Sequence, residues 1–249
     1  MPGSAAPPPV SGDRGQGHGS RSRPAPAAVL WDMDGTLVDS EKVWTVSLAD
    51  TARALGGELS AAARTAIIGS NMARTLVLVF DDLGLPHDPA RMAEAERMIL
   101  RRTAELFREG LEWRPGAQEA LRTVRAAGWP TALVTNTGRE LTELALEGIG
   151  REHFDVSVCG DEVPRGKPDP DPYLRAASLL GVDAADCLAV EDSPTGALAA
   201  ERAGAAVLVV PCEVPVPAGP SRVQRDTLVG LTAEGLRADY TRVRARNAA

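Results

Sequence analysis

The sequence predicts an α/β protein with a doubly wound, Rossmann-like parallel sheet core and an inserted all-helical cap domain. Short, almost continuously aliphatic segments alternate with amphipathic segments over most of the 249 residues. Continuous apolar strands are typical of parallel sheets that helices cover on both faces. Strands that alternate with helices imply right-handed crossovers within one such sheet. One interval, 41–113, shows helical periodicity and no clear strand, which predicts a helical insertion.

The predicted elements follow in order along the chain. Strands are expected at Ala27–Trp31, Thr131–Val134, Val156–Cys159, Cys187–Val190 and Ala206–Val210. Helices between them are expected at Gly116–Ala127, Arg139–Glu147, Pro172–Leu180 and Pro194–Ala203. The clearest helix of the insertion is Arg91–Arg108, whose apolar residues recur at helical spacing with charges between them. After the last of these strands we expect an edge strand at Thr227–Leu231 and a short helix.

These patterns divide the chain into a tail, a core and a cap. Residues 1–26 are rich in Pro, Gly, Ser and Ala, so we predict a disordered N-terminal tail. The core is assigned to 27–40 and 114–249, and the helical cap to 41–113. An insertion after the first strand would lie above the carboxyl ends of the strands, where such sheets bind ligands. The alternative is that these helices merely pack on the sheet.

Composition argues against several classes of function. A net charge of −7 disfavours nucleic-acid binding, which needs clustered Lys and Arg. No apolar stretch approaches the roughly 20 residues that span a bilayer, so we expect no membrane partner. The three cysteines are an odd number without metal-type spacing, which indicates a reduced, cytoplasmic setting. We expect a monomer.

The most informative segment runs from Trp31 to Ser40 and follows the first predicted strand. Its two carboxylates, Asp32 and Asp34, would share a face if the strand continued past Asp32. Crowded carboxylates raise each other's pKa unless a cation neutralises them. Mg²⁺ prefers carboxylate, phosphate and water oxygens and is the natural candidate. A solvated Asp-x-Asp-Gly loop is the alternative.

Polar residues also follow three further strands. Thr135 and Asn136 precede a predicted helix, where a hydroxyl and backbone amides form an anion site or only a helix cap. Lys167 is one of two lysines in the chain, and it either binds a phosphate oxygen or lies in solvent. Glu191 and Asp192 end a buried strand, where charge is costly unless it is paired or bound to metal. We expect these groups and the first acid pair to meet at one edge of the sheet.

This ordered set resembles the haloacid dehalogenase-like hydrolase superfamily, in the helical-cap branch with sugar-phosphate phosphatases and β-phosphoglucomutase. The first motif is Asp32-Met33-Asp34-Gly35-Thr36, and the others are Thr135, Lys167 and Glu191-Asp192. The resemblance covers the chain from Ala27 to about Val210. It implies a Mg²⁺-dependent phosphatase that hydrolyses a small phosphorylated sugar or polyol, the metabolite partner, through an aspartyl-phosphate intermediate.

The resemblance also implies a role for each matched residue. Asp32 would be the nucleophile, and Asp34 would protonate the leaving alcohol and then activate water. The metal would be held by Asp32, the backbone carbonyl of Asp34, Asp192 and, as an open alternative, Glu191. The phosphoryl oxygens would be held by Thr135, the backbone amide of Asn136 and Lys167.

Residues of the cap bear on the substrate. Trp44 stands where the phosphoglucomutase has a histidine, and the segment resembles the Asp-Ser-Glu-x-x-Trp pattern of bacterial sugar and sugar-alcohol phosphatases. This favours hydrolysis over the alternatives, a sugar phosphomutase of the β-phosphoglucomutase type or a non-catalytic binding member. Gly69 and Asn71 are expected to meet the substrate, and Trp44 either stacks on a sugar or packs within the cap.

Overall fold

A six-stranded parallel sheet with helices on both faces forms the core of the structure, a computed structural model that describes residues 25–68 and 70–247. The strands are β1 (Val29–Trp31), β2 (Thr131–Val134), β3 (Val156–Val158), β4 (Leu188–Glu191), β5 (Ala206–Val209) and β6 (Arg222–Gln224). The helices are α1 (Glu41–Ala54), α2 (Ala61–Ile67), α3 (Met72–Asp82), α4 (Pro89–Glu109), α5 (Ala117–Ala126), α6 (Arg139–Ile149), α7 (Asp171–Leu180), α8 (Pro194–Arg202) and α9 (Ala233–Asn247).

The order of the strands determines where a ligand can bind. The sheet runs β3-β2-β1-β4-β5-β6, and every neighbouring pair is parallel. The chain therefore winds outward in one direction from β1 to β3, then returns to β4 on the other side of β1. In doubly wound sheets of this order, ligands bind at the carboxyl ends of the two strands that flank this reversal. Here these strands are β1 and β4.

Alternation along the central strand explains the continuous apolar runs in the sequence. Val29 and Trp31 pack into the cluster beneath α5, α6 and α9, whereas Leu30 packs into the cluster beneath α7 and α8. All three side chains are fully buried because successive residues of a strand point to opposite faces and helices cover both. The prediction of a two-sided parallel sheet is confirmed.

Helices α1 to α4 form the inserted cap and have an apolar cluster of their own. The cluster includes Leu48, Ala52, Val79, Phe80, Ala95 and Ile99. Helix α4 begins where the Asp88 side chain accepts the N–H of Arg91, with Pro89 as its first residue, and its last residue, Glu109, is followed by Gly110 as the C-cap. The all-helical cap is thus confirmed, while its assignment to 41–113 and the division of the core remain predictions.

The predicted elements agree with the structure to within two residues, except near the C-terminus. The edge strand expected at Thr227–Leu231 is wrong, because the last strand is β6 and residues 227–231 form a turn. The turn contains Gly230 at φ +72°, and it buries Leu228 and Leu231 in the cluster beneath α9. Leu228 and Leu231 therefore pack beneath a helix and do not pair with a strand, whereas Val229 between them is exposed. The helix that follows spans 15 residues and is not short.

Two further expectations concern the ends of the chain and membranes. The predicted disordered tail lies outside the described residues, apart from 25 and 26. Within the part of the chain that the structure describes, no helix has the length and apolar character needed to cross a bilayer.

Candidate active site

The ends of β1 and β4 bring a lysine and two acidic side chains together. The backbone N–H of Asp32 donates to the carbonyl of Val190 at 3.0 Å, which continues the pairing of β1 with β4 by one residue. Lys167 Nζ lies 2.6 Å from Asp32 Oδ1 and 2.7 Å from Glu191 Oε1. Only 4% of the lysine side chain is exposed, so this is a buried ion-pair network and not a surface lysine. The solvated alternative for Lys167 is excluded.

Glu191 is held from several sides. Its Oε1 also accepts a hydrogen bond from the Tyr173 hydroxyl, and its Oε2 accepts one from Ser193 Oγ at 3.4 Å. A Cβ at Gly196 would lie 2.0 Å from both carboxylate oxygens, so the backbone of α8 approaches Glu191 as only glycine allows. Glu191 is fully buried and holds Lys167 against Asp32.

The carboxylate of Asp34 accepts hydrogen bonds from four side chains. Ser40 Oγ at 2.6 Å and Trp44 Nε1 at 3.4 Å donate to Oδ1. Thr135 Oγ1 at 2.9 Å and Thr137 Oγ1 at 2.8 Å donate to Oδ2. Ser40 lies just before α1 and Trp44 lies in its first turn, whereas Thr135 and Thr137 follow β2. The core and the cap together therefore determine the orientation of Asp34.

Asp192 lies against the turn that follows Asp34. Thr36 Oγ1 donates to Asp192 Oδ1 at 3.5 Å. Gly35 has φ +82°, and a Cβ on it would lie 2.3 Å from Asp192 Oδ2. Glycine is therefore required at position 35 for two reasons, the left-handed backbone conformation and the close approach of the Asp192 carboxylate.

The acidic cluster fits a divalent cation. Asp32, Glu191 and Asp192 each offer a carboxylate oxygen within 4.8 Å of the others. Asp32 Oδ2 is buried without a hydrogen-bond partner among the described residues. Among the described residues, Lys167 contacts two of these carboxylates, those of Asp32 and Glu191, and no basic side chain forms an ion pair with Asp192. One positive charge therefore faces three carboxyl groups, and oxygen ligands with such an excess of negative charge suit a divalent cation such as Mg²⁺.

Electrostatics support the same interpretation. Burial raises the pKa of Asp32 to about 8; Glu191 and Asp34 add to this rise, and Lys167 opposes it. Burial, followed by repulsion from Asp32 and Glu191, also raises the pKa of Asp192 well above its ordinary value. A bound cation would favour the charged form of both carboxyl groups.

A cavity of about 700 Å³ lies between this edge of the sheet and the cap. Its core side includes Asp32, Asp34, Lys167 and Asp192. Its cap side includes residues of α1, α2, α3 and α4, among them Trp44 and Asn71. The volume suits a metabolite of small or moderate size.

The other predicted site residues have contacts of their own. Asn136 accepts the backbone N–H of Lys167 at 2.8 Å and donates to its carbonyl at 3.1 Å, so it holds the loop that carries the lysine. The Thr135 hydroxyl is buried and directed to Asp34. Asn71 caps α3 by accepting the N–H of Arg74 at 2.9 Å. Gly69 lies outside the described residues.

Three contributors to the site are not among the residues predicted from the sequence: Ser40, Thr137 and Tyr173. Thr137 stands two residues after Thr135, and this repeated hydroxyl is the signal that indicates it. Ser40 is indicated only as part of a pattern with Trp44. No local signal distinguishes Tyr173, because its contact with Glu191 depends on how α7 packs against the sheet.

Comparison with known proteins decides the family. The sequence model of the family described as "haloacid dehalogenase-like hydrolase" matches residues 26–204, well over half of the chain. The chain belongs to this family. The matched range includes the cluster at the ends of β1 and β4.

Relatives of this hydrolase include named phosphatases. A probable pseudouridine-5'-phosphatase of Drosophila melanogaster is 34% identical over 193 residues, which cover 73% of this chain and 80% of the relative. Hexitol phosphatase B of Escherichia coli K12 is 32% identical over 192 residues, which cover 74% and 83% of the two chains.

One of the similar solved structures contains a sugar bisphosphate. A mutant of CbbY from Rhodobacter sphaeroides, in complex with xylulose-(1,5)bisphosphate, has 28% identity and a TM-score of 0.74, covering 83% of this chain and 96% of that chain. β-Phosphoglucomutase from Clostridium difficile shares the fold, with a TM-score of 0.74 at 16% identity over 88% and 99% of the two chains.

Proposed function

We propose that this hydrolase is a phosphomonoesterase that releases inorganic phosphate from a small phosphorylated sugar or polyol. The observation that carries the proposal is the meeting of Asp32, Asp34, Lys167 and Asp192 on the core side of the cavity that lies beneath the cap. The relatives named as a probable pseudouridine-5'-phosphatase and as hexitol phosphatase B support it.

Asp32 is the proposed nucleophile. Its Oδ1 is held by Lys167, and its Oδ2 has no hydrogen-bond partner among the described residues. Attack by Asp32 forms the bond to phosphorus while the bond to the leaving oxygen breaks, which gives an aspartyl-phosphate and an alcohol. Covalent catalysis of this kind divides one difficult step into two easier ones.

Asp34 is the proposed acid and base. It gives its proton to the leaving oxygen, then takes a proton from the water that attacks the aspartyl-phosphate and releases phosphate from Asp32. Such proton transfer is typically worth about 10²–10⁴-fold in rate. The four donors around Asp34 hold its carboxylate in one orientation and contain no basic group that competes for the proton.

Mg²⁺ is the proposed metal, held by Asp32, the backbone carbonyl of Asp34 and Asp192. It would stabilise negative charge on the transferring phosphoryl group. Glu191 is better explained as the residue that positions Lys167, because Lys167, Tyr173 and Ser193 already engage its oxygens. Thr135, the backbone amide of Asn136 and Lys167 remain the proposed phosphoryl-binding groups, and the Thr135 hydroxyl also orients Asp34.

A phosphomutase is the second candidate, and the residue at position 44 argues against it. The indole of Trp44 donates to Asp34 Oδ1 and, unlike the histidine of the phosphoglucomutase, has no nitrogen that can accept a proton.

The proposal also includes the domain boundaries predicted from the sequence, with the core at 27–40 and 114–249 and the cap at 41–113. It further includes a cytoplasmic location and a monomeric state.

The test is phosphate release from a panel of phosphorylated sugars, polyols and nucleotides, with Mg²⁺ and with EDTA. The matched variants are Asp32→Asn and, as a control, Asp81→Asn on the exposed surface of α3. We expect release that requires Mg²⁺, persists in Asp81→Asn and is lost in Asp32→Asn. Isomerised sugar phosphate without free phosphate would favour the mutase. A cellular phenotype that survives Asp32→Asn undiminished would favour a binding role.

A further inference from the structure

Glu41 is an acidic residue of the cavity wall that the proposed mechanism does not use. It is the first residue of α1 and lines the cavity with Asp34 and Trp44. An acid in the first turn of a helix interacts favourably with the helix dipole. The helix dipole explains why an acid is tolerated at this position. It does not explain why the side chain lines the cavity.

The Glu41 carboxylate has no hydrogen bond or ion pair with any residue in 25–68 or 70–247. Of the two lysines, Lys42 pairs with Asp39 and Glu112, and Lys167 is shared by two buried carboxylates. The carboxylate of Glu41 is thus available to a ligand.

The surroundings of Glu41 disfavour the charged form of its carboxyl group. Burial raises its pKa to about 7, and repulsion from Asp34, Glu213 and Asp39 adds to this rise. A carboxyl group in such a place gains from any hydroxyl that donates to it, and in its ionised form, above about pH 7, it repels any further anion.

The remaining charges on the cap side of the cavity extend the same pattern. Glu58 and Glu96 line the cavity and have no ion pair among the described residues. Arg53 and Arg64 also line it, but Arg53 pairs with Asp50 at 3.0 Å and Arg64 donates to the carbonyl of Leu59. The cap wall therefore presents three unpaired carboxylates and two guanidinium groups that already have partners.

We propose that Glu41 is a specificity-determining residue, which accepts hydrogen bonds from substrate hydroxyls and excludes substrates with a second phosphate or carboxylate. This inference rests on the proposed phosphatase function and narrows its substrate class to monophosphates of uncharged polyols or sugars. The phosphate to be cleaved lies with Lys167 and the metal site, and the hydroxyl-bearing remainder faces the carboxylates of the cap.

If Glu41 excludes a second phosphate, this chain differs in substrate preference from the relative whose solved structure contains a sugar bisphosphate. We expect kcat/KM for fructose monophosphate to exceed that for fructose bisphosphate by at least about tenfold, because like charges brought together in a partly buried site repel strongly. A hexitol monophosphate should be used equally well or better.

The experiment compares these substrates in Glu41→Gln, which keeps the size and an acceptor oxygen but removes the charge. We expect kcat/KM for the bisphosphate to rise by roughly tenfold, while that for the monophosphates changes by less than about threefold. Glu41→Leu removes the acceptor as well, so KM for the hexitol monophosphate should rise by about tenfold with a smaller change in kcat.

Two further variants make the outcome decisive. Glu58→Gln, at an exposed position of the cavity wall, should also lower the preference for the monophosphate over the bisphosphate, by a smaller factor than Glu41→Gln. It tests the proposal if Glu41→Gln fails to fold. Glu147→Gln, exposed on α6 away from the cavity, should leave the preference unchanged.

The inference is wrong if both Glu41→Gln and Glu58→Gln keep the wild-type preference for the monophosphate over the bisphosphate. This holds even if a lower melting temperature shows that Glu41 has a structural role. If the wild-type enzyme releases phosphate from monophosphates and bisphosphates alike, this inference is wrong and the phosphatase function stands. If it releases none from any substrate, the proposed function itself is wrong.

Discussion

The ammonium nitrogen of Lys167 lies 2.6 Å from Oδ1 of Asp32, although 135 positions separate the two residues in the chain. The same nitrogen lies 2.7 Å from Oε1 of Glu191. Burial lowers the pKa of a lysine, but the carboxylates of Asp32 and Glu191 outweigh burial and raise the pKa of Lys167. The proposed nucleophile is thus held by a permanently charged partner, which Glu191 keeps in place.

Removal of this ammonium group should destabilise the fold. In Lys167→Ala, two buried carboxylates lose their cation, so we expect the free energy of unfolding to fall by about 3–5 kcal/mol. Urea denaturation in EDTA at about pH 8 measures the change. The control is Lys42→Ala, whose side chain is 69% exposed and should have little effect. Equal effects of the two substitutions would contradict the buried network.

The hydroxyl of Thr137 should matter for turnover because it orients Asp34. Thr137→Val removes a donor at 2.8 Å from Asp34 Oδ2, and we expect kcat to fall by about tenfold to a hundredfold. Thr142→Val is the matched control, since this buried hydroxyl donates to the backbone carbonyls of Thr137 and Gly138 and forms no hydrogen bond with Asp34. It should lower stability and leave kcat nearly unchanged. Similar kcat values for the two variants would refute the orienting role.

Two glycines within helices should respond in opposite ways to alanine. A Cβ at position 196 would lie 2.0 Å from both oxygens of Glu191, whose position Lys167 and Tyr173 restrict. Gly196→Ala is therefore expected to destabilise the protein and to lower activity. Gly148→Ala, in α6 with open space around its Cβ, should stabilise it by about 0.5 kcal/mol. Thermal melts and phosphate release measure both, and a harmless Gly196→Ala would disprove the close approach.

The elevated pKa of Asp32 predicts how metal and pH act together. Burial raises this pKa from 3.8 to about 8, so the native state retains a proton that the unfolded chain releases above about pH 4. The carboxyl group's contribution to stability is therefore complete below about pH 4 and is lost as the pH rises to about 8.

Asp32→Asn isolates this contribution because the amide does not titrate. In EDTA, the free energy of unfolding of the wild type minus that of the variant should decrease from about pH 5 to about pH 8. Saturating Mg²⁺ should reduce this slope, since the cation stabilises the ionised carboxylate. Urea denaturation across this range is the measurement, and a difference that does not vary with pH in EDTA would contradict the shifted pKa.

Much of the fold could be predicted because its signals are local. The aliphatic runs around Leu30, Leu133 and Ala189 show that these strands are covered on both faces, and the helical periodicity from Arg91 to Arg108 marks α4, the longest cap helix. The turn at 227–231 could not be recognised in this way, since a short apolar run reads the same whether it pairs with a strand or packs beneath a helix.

The strand–helix alternation, the helical insertion and the order of the acid, hydroxyl and lysine motifs can be recognised along the chain. Three contacts of the site become visible only in the folded protein. Lys167 is shared between Asp32 and Glu191, Thr137 reaches Asp34 across 103 positions, and Glu41 lines the cavity without a partner among the described residues. A residue's backbone preference is encoded by its neighbours in sequence, whereas a contact between distant side chains depends on strand order and on how helices pack over the sheet.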